Sequence, residues 1–183
     1  MAGSNDPTEI DRILERYRRN VGVALFNRRG EVFLGRRIGD FADVGEVMGE
    51  YRWQMPQGGI DPGEEPVDAA FRELKEETGV SAATLLTITP GWLTYDFPAE
   101  YPKKKWAGQR QKWAAMLFTG TDDEIDLNAD AHQEFDAWRW SPLEATPDLI
   151  VPFKRRVYEQ MVRAFAPLRD FIAAGERSRL ENV

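Results

Sequence analysis

Cysteine is absent from the 183 residues, and histidine occurs once, at His132. The first absence excludes disulfide frameworks, zinc ribbons, iron–sulfur clusters and thiol nucleophiles, and fits a reducing compartment. The second excludes any site that needs two imidazoles. No apolar run approaches the roughly 18 residues of a membrane span, and the opening MAGSNDPTEID has neither the basic nor the apolar part of a signal peptide. A cytoplasmic location without membrane contact is therefore expected. Positive charge is in deficit, with 24 Lys and Arg against 31 Asp and Glu and a net charge of −7. Sequence-blind binding to duplex DNA needs a broad basic face and is not expected here, and any anionic substrate must meet local positive charge.

What is present suits one globular domain over residues 1–183, with 42% hydrophobic and 11% aromatic residues. Its core is expected over about residues 18–168, between flexible ends. Thr8 to Arg18 reads as a short polar helix. Val21, Val23 and Leu25 alternate as a strand before the Asn27-Arg28-Arg29-Gly30 turn, with Val32 to Arg36 as its hairpin partner. Residues 38–52, rich in Gly, Asp and Glu, read as a long loop before a short strand at Trp53–Met55. Pro66 to Thr78 is a helix with Val67, Ala70, Phe71 and Leu74 as its apolar stripe and Gly79 as its stop. Strands follow near 84–88, 91–97, 111–119 and 135–140, then a short helix opened by Ser141-Pro142 and a longer one from Phe153 to Phe165. This order implies an α/β sandwich.

Glu73, Glu76 and Glu77 stand at i, i+3 and i+4, so they share one face of the Pro66–Thr78 helix, beside the apolar stripe. Like charges about 4 Å apart repel by about 4 kcal/mol at an effective dielectric near 20, so a semi-buried cluster needs cations or protons. Hard oxygen ligands favour magnesium or manganese. Taken alone, three glutamates would fit a solvated acidic face better. Their flanks change that reading: Gly58-Gly59-Ile60-Asp61-Pro62-Gly63-Glu64 leads into the helix and Arg72-Glu73-Leu74-Lys75-Glu76-Glu77-Thr78-Gly79-Val80 closes it.

Gly58 to Val80 resembles the Nudix box at every specified position: glycine, five residues, glutamate, seven residues, then Arg-Glu-apolar-x-Glu-Glu-x-Gly-apolar. The resemblance implies a Nudix α/β/α sandwich with a mixed central sheet and a loop-helix-loop catalytic motif. It implies that Glu73, Glu76 and Glu77 hold Mg2+, Mn2+ or another divalent cation, that Glu73 and Glu77 with Arg72 carry catalysis, and that Glu64 and Arg72 support the loop. Further segments resemble the bacterial RNA pyrophosphohydrolase and dinucleoside polyphosphate hydrolase branch. These are Tyr17-Arg18-Arg19-Asn20-Val21-Gly22, Trp53 to Ile60, Gly108-Gln109-Arg110-Gln111-Lys112-Trp113, Glu134-Phe135-Asp136-x-Trp138-Arg139-Trp140 and Phe153-Lys154-Arg155.

From that branch come a fourth metal ligand, Glu134, and the substrate contacts Arg18, Arg37, Gln57, Gly58, Gly59, Tyr95, Lys112 and Phe153. Arg37 and Lys112 are assigned to the polyphosphate and Tyr95 to the pocket rim; Phe153 either stacks on a base or simply seats the last helix. Trp138 and Trp140, at strand spacing, read as core. Lys103, Lys104 and Lys105 are the strongest patch for an RNA backbone. Arg19 departs from the proline of relatives, and the 38–52 loop is longer and more acidic than in compact members. An EF-hand started at Asp126 fails, because Ala131 and Ala137 fall where glycine and the bidentate glutamate belong.

The implied activity is metal-dependent hydrolysis of phosphoanhydrides. Either 5′-triphosphate RNA ends are converted to monophosphate ends, as in mRNA decay, or dinucleoside polyphosphates such as diadenosine tetraphosphate are cleaved, with Glu73 or Glu77 as general base. Alternatives are a Nudix enzyme for oxidised nucleotides or ADP-ribose, and a non-catalytic nucleotide-binding module.

Overall fold

The computed structural model describes residues 8–38, 51–99 and 105–181. Its elements are α1 (Glu9–Leu14), β1 (Tyr17–Phe26), β2 (Val32–Arg37), β3 (Trp53–Gln54), β4 (Gln57–Gly59), α2 (Pro66–Thr78), β5 (Ala83–Ile88), β6 (Leu93–Asp96), β7 (Gly108–Phe118), β8 (Phe135–Ser141), α3 (Thr146–Leu149) and α4 (Arg155–Glu181). They build a mixed sheet in the order β3-β2-β1-β7-β5, with β4 on β1, β6 on β7 and β8 on β2. Among the described residues no helix is long and apolar enough to cross a membrane.

The central join is β1 against β7, parallel through ten register pairs from Tyr17↔Gly108 to Phe26↔Leu117. Strand alternation then sorts side chains into two cores. Val21, Val23 and Leu25 with Ala114, Met116 and Phe118 face α2, where Ala69, Ala70 and Leu74 cover them. Ala24 and Phe26 with Trp113 and Ala115 face α4, where Val157, Tyr158, Met161 and Phe165 cover them. The sheet is thus buried on both sides over the second halves of β1 and β7, which is why residues 21–26 and 113–118 lack charged side chains. Trp138 and Trp140 pack on the α2-side core, Trp138 stacked on Phe33 at 5.8 Å between ring centroids.

Several expectations are corrected here. The first helix stops at Leu14, and Tyr17 and Arg18 already belong to β1. β1 and β2 do pair antiparallel across the turn at Gly30, with Phe26↔Val32 in register, while β2 pairs along its length with β8. The helix from residue 153 starts with a 3-10 turn and, despite Pro167, runs on to Glu181. On α2 the buried face is Ala69, Ala70, Glu73, Leu74, Glu77 and Thr78, while Phe71 is exposed. The packed stripe is rotated toward the glutamates, so two of the carboxylates share the buried side. Most of the 38–52 loop, together with Lys103 and Lys104, lies outside the described residues.

Candidate active site

A cavity of about 570 Å³ opens on the α4 side of the sheet, where β1, β4, β6 and the start of β7 meet the turn that leads into α4. Acids line one wall: Glu73, Glu76 and Glu77 from α2, with Glu134 before β8. Arg18, Arg37 and Lys154 bring positive charge, and Tyr51, Tyr95, Phe97 and Phe153 bring aromatic surface.

The glutamates reach this wall because β4 is nearly all backbone. A Cβ on Gly58 would lie 1.9 Å from the Glu73 carboxyl carbon, and one on Gly59 would lie 2.2 Å from a terminal nitrogen of Arg18. Both positions are glycine because charged groups press against them. Glu77 accepts a hydrogen bond from the Gln57 backbone N–H at 3.1 Å, which ties helix to strand. Burial, then repulsion from Glu134 and Glu73, pushes the Glu77 carboxyl well above the usual carboxylate range. Burial also raises Glu73, against the pull of Arg72.

Arg72 organises the loop. Its guanidinium donates through Nε and Nη2 to both oxygens of Glu64 at 2.8 Å, and through Nη2 to the Gly59 carbonyl at 2.8 Å. Through Nη1 it donates to Glu73 at 2.8 Å and Glu76 at 3.2 Å. These bonds, with that from the Asp61 N–H, hold the Glu64 carboxyl down to about 2. Arg72 itself is not among the cavity-lining residues; its guanidinium spans Glu64, the Gly59 carbonyl, Glu73 and Glu76.

Lys112 is the clearest displacement from expectation. Its Nζ donates to the carbonyls of Thr89 and Pro90, and the residue does not line the cavity. On β7 it lies between Gln111 and Trp113, so alternation turns it to the α2 face while Gln109 and Gln111 turn to the cavity side. Gln111, 1% exposed, donates to Asn20 at 2.7 Å and Gln57 at 3.3 Å; Tyr95 donates to Gln109 at 2.8 Å. Lys154, 5% exposed, stands with its Nζ 3.4 Å from the Gln54 amide oxygen and 5.7 Å from the Tyr95 ring centre. Phe153 packs against Tyr95 and Phe97 at 5.7 and 6.4 Å.

Of the expected residues, Arg18, Arg37, Gln57, Gly58, Gly59, Glu73, Glu76, Glu77, Tyr95, Glu134 and Phe153 line this one cavity. Lys154, Gln109, Tyr51 and Phe97 were not singled out. The signal for Lys154 was its place in the Phe153-Lys154-Arg155 signature; that for Gln109 was its parity with Trp113.

The NUDIX domain family matches residues 16–161. The chain belongs to the Nudix family. This Nudix chain is 53% identical over 163 residues to an RNA pyrophosphohydrolase of Caulobacter vibrioides, covering 86% of this chain and 90% of that protein. It is 52% identical over 153 residues to an RNA pyrophosphohydrolase of Acidiphilium cryptum, covering 82% and 90%. Its fold resembles the E. coli dihydroneopterin triphosphate pyrophosphohydrolase (TM-score 0.58, 18% identity, 81% and 98% coverage). It also resembles a C. elegans Ap4A hydrolase (TM-score 0.54, 19% identity, 81% and 98% coverage). Nudix proteins generally use a divalent metal. The donors here fit one in kind, since Glu73 and Glu77 are buried carboxylates whose mutual repulsion a cation would relieve. As they stand, no three acidic or histidine side chains among the described residues converge tightly enough to hold an ion, and Arg72 holds Glu73 and Glu76.

Proposed function

We propose that this protein is a Mg2+-dependent RNA pyrophosphohydrolase that converts 5′-triphosphate RNA ends to 5′-monophosphate ends. The observation that carries the reading is the pairing, in one cavity, of two buried glutamates of raised pKa with Arg18, Arg37 and Lys154 beside an aromatic wall. The names of relatives near 50% identity support the same reading.

Glu73, Glu76, Glu77 and Glu134 would hold magnesium once they draw together, and the ion would supply charge neutralisation and an acidified water. The chain's own residues do the rest. Arg18, Arg37 and Lys154 receive the polyphosphate oxygens, which a net-acidic surface would otherwise repel. Tyr95, Phe97 and Phe153 offer faces to a base, fixing the nucleoside end while the phosphates lie toward the glutamates. Glu73 or Glu77 takes the proton of the attacking water, both being carboxylates on the cavity wall. Arg72 steers Glu73 and Glu76 and holds Glu64 against the loop.

The test offers purified protein with Mg2+ both triphosphorylated RNA and diadenosine tetraphosphate, with products resolved by chromatography. Release of pyrophosphate or phosphate from RNA, faster than cleavage of the dinucleotide, is expected. Preference for the dinucleotide would move the assignment to dinucleoside polyphosphates, and turnover of neither would return the cavity to a binding role.

A further inference from the structure

Three cations lie in a row on the α2 face of β1 and β7, with the sheet between them and the cavity. Arg19 and Arg110 are register partners, and Lys112 follows two residues along β7, so all three leave the sheet on one side. Trp92, just before β6, sits among them. Its ring centre is 5.6 Å from the Arg19 guanidinium carbon, 5.2 Å from that of Arg110 and 5.4 Å from Lys112 Nζ. All four are partly exposed.

Like charges on registered neighbours repel, and in a chain of net charge −7 a nearby carboxylate is the ordinary remedy. Among the described residues none of the three has one. Among the described residues, the hydrogen-bond partners of Lys112 Nζ are two backbone carbonyls. Arg110 Nε is sealed from solvent with no hydrogen-bond partner, an unusual state for a guanidinium donor. Cation–π attraction to the Trp92 ring gathers the three side chains and leaves three positive charges with no acid beside them among the described residues.

We propose that Arg19, Arg110 and Lys112, with Trp92 between them, bind the phosphodiester backbone and one base of single-stranded RNA downstream of the 5′ end held in the cavity. Guanidinium forks match phosphate oxygens, and an indole stacks on any base without reading its sequence. The two regions are joined through β1. Arg18 lines the cavity and lies over Gly59, while the next residue, Arg19, faces the other side and accepts the Ile60 N–H at 3.2 Å through its carbonyl. Successive residues of one strand thus put positive charge on both faces, a track for a chain leaving the site. The proposal rests on the RNA reading of the cavity.

The test uses the full chain and a labelled ten-nucleotide RNA with a 5′-hydroxyl, which is not a substrate. Binding is followed by fluorescence anisotropy across a salt series. Arg19→Gln/Arg110→Gln is expected to weaken binding about tenfold and to lower the salt slope by about 1.4, at about 0.7 per lost phosphate contact. Arg19→Lys/Arg110→Lys should keep most of the slope, and Arg19→Gln alone should lose about half as much as the pair. On triphosphorylated substrates the Gln pair should raise KM for a decamer and leave a dinucleotide unchanged. Unaltered affinity and slope, or equal losses on decamer and dinucleotide, would overturn the proposal. Failure of the wild type to cleave either substrate, with arginine-dependent decamer binding intact, would instead sink the reading of the cavity and leave this site standing.

Discussion

On the proposed reading, Glu77 is the residue on which stability and chemistry pull in opposite directions. Its raised pKa means that the native state holds a proton more tightly than the unfolded chain does. Metal-free stability from this group is therefore greatest below the ordinary carboxylate value of 4.5 and falls as pH rises through the folded pKa. Glu77→Gln removes that loss and keeps an oxygen for the Gln57 N–H. In chelator at pH 7.5, calorimetry should show the variant melting above the wild type, by about 2–4 °C for each kcal/mol relieved. The same substitution should cut turnover by about 100-fold or more, because a ligand charge and a proton acceptor are gone. A variant that melts lower and still turns over normally would show that Glu77 is an ordinary buried acid.

At the scale of elements, the spacing between β4 and α2 decides the site. Gly58→Ala places a methyl where the Glu73 carboxylate now lies, so carboxylate or strand must move. A displacement near 1 Å at reacting groups costs on the order of 100-fold in rate. Gly63→Ala is the matched control, for Gly63 has φ +83° but nothing within 4 Å of a Cβ. It should cost about 1 kcal/mol in denaturant unfolding through backbone strain and spare kcat. Equal kinetic effects from the two would mean that general loosening of the loop, not contact with Glu73, governs rate.

These elements also show what was legible in the sequence. α2 is bounded by Pro66 and Gly79 as the sequence indicates, because a proline start and a glycine stop are local signals. Its facing was misjudged through Phe71, whose apolar character promised burial that the sheet does not provide. Buried Glu73 and Glu77 took the place of that aromatic, and hydrophobicity alone does not foresee a charge being buried. Lys112, which the resemblance assigns to the polyphosphate, does not line the cavity; counting in twos from Trp113 points to Gln109, which does. Tyr51 reaches the cavity through the packing of distant segments, which no local pattern encodes, whereas Lys154 follows Phe153 in a segment the sequence already marks.

For the whole molecule, cation binding should appear as stability. A ligand present at about 100 times its Kd adds about 2.7 kcal/mol to the folded state. Mg2+ should therefore raise the melting temperature, and the gain should shrink as pH falls, because Glu73 and Glu77 must give up protons to ligate. Glu134→Gln should reduce the gain, and a melting temperature indifferent to Mg2+ at every pH would remove the cation from these carboxylates.

The long parallel pairing of β1 with β7 has a consequence in time. Before residue 108 is made, β1 has only one register pair with β2 and three with β4, too few to order a buried strand. At 5–20 residues per second, the interval between synthesis of β1 and of β7 is on the order of ten seconds. Throughout it, the glutamate helix has nothing complete to pack on. The emerging chain is therefore expected to pass the ribosome with its glutamate helix translated but unassembled; the α2-side core can begin to close once β7 has cleared the exit tunnel, and the α4-side core only after α4 follows.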